Sequence, residues 1–145
     1  MVGQLSAESI CGCFTSTSRQ ASCNYGIGTD GRVSLCVEEK NRSWCSSSNA
    51  NDQRAVTIEC ASDMNEPYAM NSAVYDSLVK LVGWLCYRFD LKSSDVIRHY
   101  DVTEKICPKY FVDHPDAWEQ FKKDVDAQIQ VVAEEVKAAA DNKTE

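Results

Sequence analysis

The sequence is short of histidine: only His99 and His114 occur among 145 residues. Any centre that needs several imidazoles must therefore find its remaining donors among other residue types. Basic charge is short as well. The net charge is −7 with no concentrated basic patch, which argues against nucleic acid as the main partner. Long apolar runs are missing: no stretch approaches the roughly 18 residues of a membrane-crossing helix. The opening Met1-Val2-Gly3-Gln4 lacks the basic and apolar regions of a signal peptide, so either another export route or a segment before Met1 is expected.

Cysteine is abundant instead. Eight cysteines in a small secreted scaffold would suggest a disulfide framework. This chain is larger, with 43% apolar residues, enough for one domain with an ordinary core. Cys36 and Cys60 lie in strand-like runs and Cys86 in a helical apolar stripe. Mostly reduced thiols packed as small hydrophobes are therefore expected, with one or more bridges as the alternative. Cys11-Gly12-Cys13 is expected to serve helix packing rather than metal or redox chemistry.

Residues 5–14 suit a short helix with Ser6 as cap. The sequence Asn24-Tyr25-Gly26-Ile27-Gly28 leads into Thr29-Asp30-Gly31-Arg32, where Asp-Gly signals a tight hairpin turn, and residues 32–37 read as the returning strand. A loop over residues 38–52 follows, and the β-branched residues 54–60 predict a buried strand. Asn71 or Ser72 caps a helix reaching Phe89, with Val74, Leu78, Leu81, Val82, Leu85 and Phe89 as its inner stripe. Residues 96–99 read as a short strand. A second long helix starts at Pro115 and runs through Trp118, Phe121, Val125 and Ile129 towards Ala140, with a solvated end and a tail over 141–145. The alternation predicts an α/β fold, a mixed central sheet flanked by helices.

Arg98-His99-Tyr100-Asp101-Val102-Thr103-Glu104-Lys105-Ile106-Cys107-Pro108 carries the densest chemistry. His99 and Cys107 are two potential zinc ligands presented by one connection. A catalytic zinc keeps three protein ligands and an open position, so a further donor must come from elsewhere. Lys105 could reach over the same metal to steady an oxyanion, or simply be solvated. Asp101 could hold the His99 tautomer or cap the loop. Glu59, in an otherwise apolar strand, is a general base, a solvated strand end, or the ion-pair partner of Arg54 or Arg98. His114 is expected at a cap or on the surface. Tyr25 and Trp44 could line a substrate groove or belong to core and rim.

Taken together, Asn24 to Arg32, Arg42-Ser43-Trp44, Asn51-Asp52-Gln53-Arg54-Ala55-Val56-Thr57-Ile58-Glu59, His99 to Pro108 and Trp118-Glu119-Gln120-Phe121 resemble the N-acetylmuramoyl-L-alanine amidases of type 2, a family that includes endolysins, autolysins and peptidoglycan recognition proteins. The resemblance covers roughly residues 3 to 125. It implies a Zn2+ cofactor and hydrolysis of the amide between N-acetylmuramic acid and L-alanine in bacterial peptidoglycan. By position, His99 and Cys107 resemble the second and third zinc ligands, Glu59 the acid/base and Lys105 the oxyanion-stabilising residue. Two departures stand out. Lys109 follows Cys-Pro where the family has Gly, and the first strand with its zinc histidine has no counterpart, so an N-terminal truncation is expected.

The resemblance further implies a catalytic domain over 1–130, a helical extension over 131–145, and a monomer acting on the cell wall without nucleic-acid or membrane partners. Its location is extracytoplasmic, or cytoplasmic until release if phage-encoded. Bulk charge offers an anionic wall polymer no attraction, so binding must come from a local groove. The alternative is a catalytically inactive peptidoglycan-binding module. A third reading, a structural zinc domain using His99, Cys107 and two more cysteines, leaves Glu59 and Lys105 without a purpose.

Overall fold

Ser6 caps the first helix: its hydroxyl accepts the Ser9 N–H at 3.1 Å, and α1 (Ala7–Cys13) turns Ala7 and Ile10 inward. The computed structural model describes residues 6–15, 18, 20–62 and 70–143; Leu5, where this helix was expected to begin, lies outside them, as do residues 144 and 145 of the expected tail. The hairpin is formed by β1 (Tyr25–Ile27) and β2 (Val33–Leu35), antiparallel with Gly26 opposite Ser34. Its turn needs glycine at Gly31, where φ is +80° and an added Cβ would lie 2.8 Å from the Ala73 carbonyl oxygen.

After a short α2 (Asn49–Asp52), β3 (Ile58–Cys60) pairs with β1 in parallel, giving the order β2-β1-β3. The mixed sheet and flanking helices match the expected α/β class. The strands are shorter than the sequence suggests because polar side chains replace ladder bonds at their ends. Fully buried Asn24 donates from Nδ2 to the Val37 and Asn41 carbonyls at 3.2 and 3.3 Å, and its Oδ1 accepts the Thr57 N–H at 3.0 Å.

The helical layer supplies most of the core. Asn71 caps α3 (Ser72–Arg88) by accepting the Val74 N–H, and Val74, Leu78, Val82, Leu85 and Cys86 face inward. Phe89 leaves the stripe and is 44% exposed, because Asp90, at φ +53°, turns the chain just after the helix; Cys86 takes the inward place. Two short helices, α4 (His99–Thr103) and α5 (Lys109–Asp113), precede α6 (Pro115–Asp141), which starts with proline at a favoured first position. Phe111, Trp118 and Phe121 form an aromatic cluster with ring centroids 5.3–5.4 Å apart. Burying a side chain of this size stabilises by roughly 1.5–3 kcal/mol. Beyond Val132 most side chains of α6 are exposed, as its Ala, Glu and Lys content predicts.

Two expectations need correction. Residues 96–99 form no strand: the Arg98 N–H is used by Asp101 Oδ2 at 2.8 Å in a capping box, so His99 is the first residue of α4. Cys11 is not a packing thiol. It bridges to Cys36, tying α1 to the chain just after β2, while Cys13, Cys23, Cys45, Cys60, Cys86 and Cys107 are not disulfide-bonded.

Candidate active site

Between the sheet and the segment after α3 lies a pocket of about 550 Å³ whose walls include Trp44, Cys45, Glu59, His99, Lys105 and Cys107. That volume suits a small-molecule or oligomer-end ligand. Glu59 comes from the middle of β3 and His99 from the start of α4. Glu104 ends α4 with φ +61°, and this left-handed turn sends the chain back so that Lys105 and Cys107 reach the same cavity. The Tyr100 N–H donates to the Cys107 carbonyl at 3.0 Å and fixes the return; the Cys107–Pro108 bond is cis. Trp44 is placed by reciprocal bonds with Ser22, each 2.9 Å, and stands 56% exposed at the rim.

His99 is set for metal or proton chemistry. Its imidazole bonds the backbone of Ser46, and its buried Nε2 has no hydrogen-bond partner. Burial, then the Lys105 cation, lowers its pKa against the opposing pull of Glu59, so the ring is neutral at physiological pH. Ser46 is itself fixed: its N–H and Oγ donate to Asp52 Oδ1 at 2.9 and 2.6 Å, and Asp52 is only 2% exposed. Asp52 therefore orients His99 through Ser46. Nothing in the spacing marked Ser46, because His99 becomes its neighbour only when the loop folds onto α4; Asp52 reaches Ser46 from six residues on in the same stretch.

Asp101 does not take that orienting place. Its carboxylate is held by Arg98, at 2.8 Å to the Arg98 N–H and 2.8 Å to Nη2, which keeps its pKa below the ordinary value and leaves it a cap for α4. Arg98 is thereby engaged away from Glu59. Tyr25 is not part of the pocket either: its hydroxyl donates to Glu39, which Arg88 also grips at 2.6 Å. Side chains alternate across a strand, and Tyr25 takes the face turned to α3. Burial, then the Glu39 bond, pushes its phenol up to about 12. His114 sits between α5 and α6, its ring 4.8 Å from that of Tyr110.

Cys45 was not anticipated. It lines the pocket beside Trp44, and its Sγ donates to Glu59 Oε1 at 3.9 Å. Burial, and next the Glu59 charge, push its thiol up to about 12. Among the described residues, no three His, Cys, Asp or Glu side chains already converge as a metal cage. The donors present still fit zinc in kind: an unpartnered buried imidazole nitrogen on His99 and a thiol on Cys107, both on one cavity.

Residues 3–110 match the family model described as N-acetylmuramoyl-L-alanine amidase. The chain is 31% identical over 100 residues to the N-acetylmuramoyl-L-alanine amidase CwlL of Bacillus licheniformis, covering 68% of this chain and 27% of that protein. A probable N-acetylmuramoyl-L-alanine amidase of Bacillus licheniformis is 29% identical over 120 residues, covering 79% and 32%. The chain thus spans roughly a third or less of these relatives' length. The solved catalytic domain of XlyA superposes with a TM-score of 0.67 over 86% of this chain and 78% of that one, at 12% identity, a likeness of fold.

Proposed function

Because this chain belongs to the N-acetylmuramoyl-L-alanine amidase family, we propose that it hydrolyses the amide joining N-acetylmuramic acid to L-alanine in bacterial peptidoglycan, with zinc held by His99 and Cys107. The convergence of Glu59, His99, Lys105 and Cys107 on one pocket from separate segments carries this reading. Zinc, when bound, polarises the scissile carbonyl and lowers the pKa of water. Glu59 accepts the proton of the attacking water and returns it to the leaving alanine nitrogen. The Lys105 ammonium stabilises the negative oxygen of the tetrahedral adduct. Ser46, braced by Asp52, keeps the His99 ring oriented. Trp44 offers its exposed face to the sugar; Arg42 stacks on it, 3.5 Å from the ring centre, and supplies a cation for substrate carboxylates. The protein works as a monomer on the cell wall, outside the cytoplasmic membrane.

The test is a zinc-supplemented reaction with a soluble N-acetylmuramyl peptide, followed by mass spectrometry and paired with calorimetric binding. Cleavage between the lactyl group and L-alanine, lost in Glu59→Gln, is expected. Binding without cleavage would overturn the enzymatic reading and leave a peptidoglycan-binding module.

A further inference from the structure

We propose that Cys23 is an internal nucleophile toward the Cys11–Cys36 bridge: exchange moves the bond to Cys23–Cys36, releases α1 from the sheet and loosens the pocket wall that α1 carries. Three sulfurs meet in one place. Cys11 and Cys36 are bonded, and the Cys23 Sγ lies 3.8 Å from that of Cys36, a close contact for two sulfur atoms. Cys23 is fully buried beside Ile10 and Ala61, with Phe14 and Cys36 packed on the same cluster. Phe14 closes α1, its N–H donating to the Cys11 carbonyl at 3.1 Å, and it lines the pocket that holds Glu59 and His99. The bridge and the pocket wall thus share one helix end.

The step balances without an outside oxidant or reductant. Cys23 gives up its thiol proton and its thiolate attacks the Cys36 sulfur. The Cys11–Cys36 bond breaks as the Cys23–Cys36 bond forms, and Cys11 leaves as a thiolate that takes up a proton. The new Cys11 thiol has an acceptor at hand, the Ser34 carbonyl oxygen 3.9 Å from its sulfur. The backbone is already close on the other side: the Cys36 N–H donates to the carbonyl of Asn24, next to Cys23, at 2.8 Å. Loop length does not choose strongly between the two bonds. Their ends are 25 and 13 residues apart, a ratio worth only about threefold in favour of the shorter loop. Packing decides instead, and the fully buried Ala7 and Ile10 of α1 hold the longer bridge in the resting fold. Burial, and next the Glu59 charge, push the Cys23 thiol up to about 12, so its thiolate forms when this cluster opens to water.

The experiment holds the whole chain in a buffer of reduced and oxidised cysteine at mildly alkaline pH, quenches it with acid and maps the bridges by peptide mass spectrometry. Cys23–Cys36 should appear as Cys11–Cys36 is lost, one for one. Cys11–Cys36 alone at every time would overturn the inference. Two variants test the structural half. Cys23→Ala locks the bridge on Cys11, whereas Cys11→Ser should place it between Cys23 and Cys36. Amide hydrogen exchange over residues 7–14 should be faster in Cys11→Ser than in Cys23→Ala, as protection of α1 is lost. Equal exchange would overturn the release of α1, and a Cys11→Ser chain whose Cys36 does not pair with Cys23 would overturn the exchange itself. None of these sulfurs belongs to the zinc set proposed above, so failure here leaves that reading standing.

Discussion

The two halves of the molecule are built on different physics. In the helical half, α3 and α6 interlock through large apolar side chains, and Gly83 lets them approach so closely that an added Cβ would lie 2.5 Å from Gln128. In the sheet half, three strands of three residues each are held by a buried asparagine, small polar bonds and a disulfide, around a small buried cluster of Ile10, Cys23 and Ala61. The pocket's acid, imidazole and thiols sit where the sheet half meets α4. Most of the large buried apolar side chains lie in the helices, leaving the polar half free to hold groups that a close-packed apolar core would reject.

This division can be broken from either side. Glu59→Gln should lower amidase turnover by about 10²–10⁴-fold while leaving the thermal midpoint nearly unchanged, checked by product mass spectrometry beside calorimetry. Phe121→Ala should do the reverse. It should cost about 3–5 kcal/mol in urea unfolding, with turnover per folded molecule preserved at low temperature. Asn24→Ala should cost about 1–3 kcal/mol by leaving the Val37 and Asn41 carbonyls and the Thr57 N–H without their partner, and it should also disturb the neighbouring pocket.

The smallest effect is a pH dependence at Asp101. Arg98 holds its folded pKa below the ordinary carboxylate value, so the pair's contribution is present above the unfolded pKa of about 3.9 and is lost as pH falls through the folded value. Asp101→Asn should therefore be less stable than the native chain at neutral pH, with the gap closing in acid. Urea midpoints at the two pH values measure it. A gap that widened in acid would contradict the assignment.

Much of this was legible in the sequence where local rules act alone. The Asn71 cap, the Asp30-Gly31 turn and the proline start of α6 follow from side-chain chemistry within a few residues. The joint presence of Glu59, Lys105, His99 and Cys107 in one cavity agrees with the order of the segments that carry them. What stayed hidden depends on contacts across the fold. Cys11 finds Cys36 across 25 residues, Tyr25 is claimed by Glu39 and Arg88, and Asp101 is taken by its own neighbour Arg98. Cys45 carried no spacing signal because its partners, Glu59 and the returning loop, are brought to it by tertiary structure.

The most direct test of the central claim is to digest purified peptidoglycan with the zinc-loaded chain and count new chemical ends. Newly exposed L-alanine amino groups with no increase in reducing sugar ends are expected. New reducing ends without free alanine amino groups would contradict it.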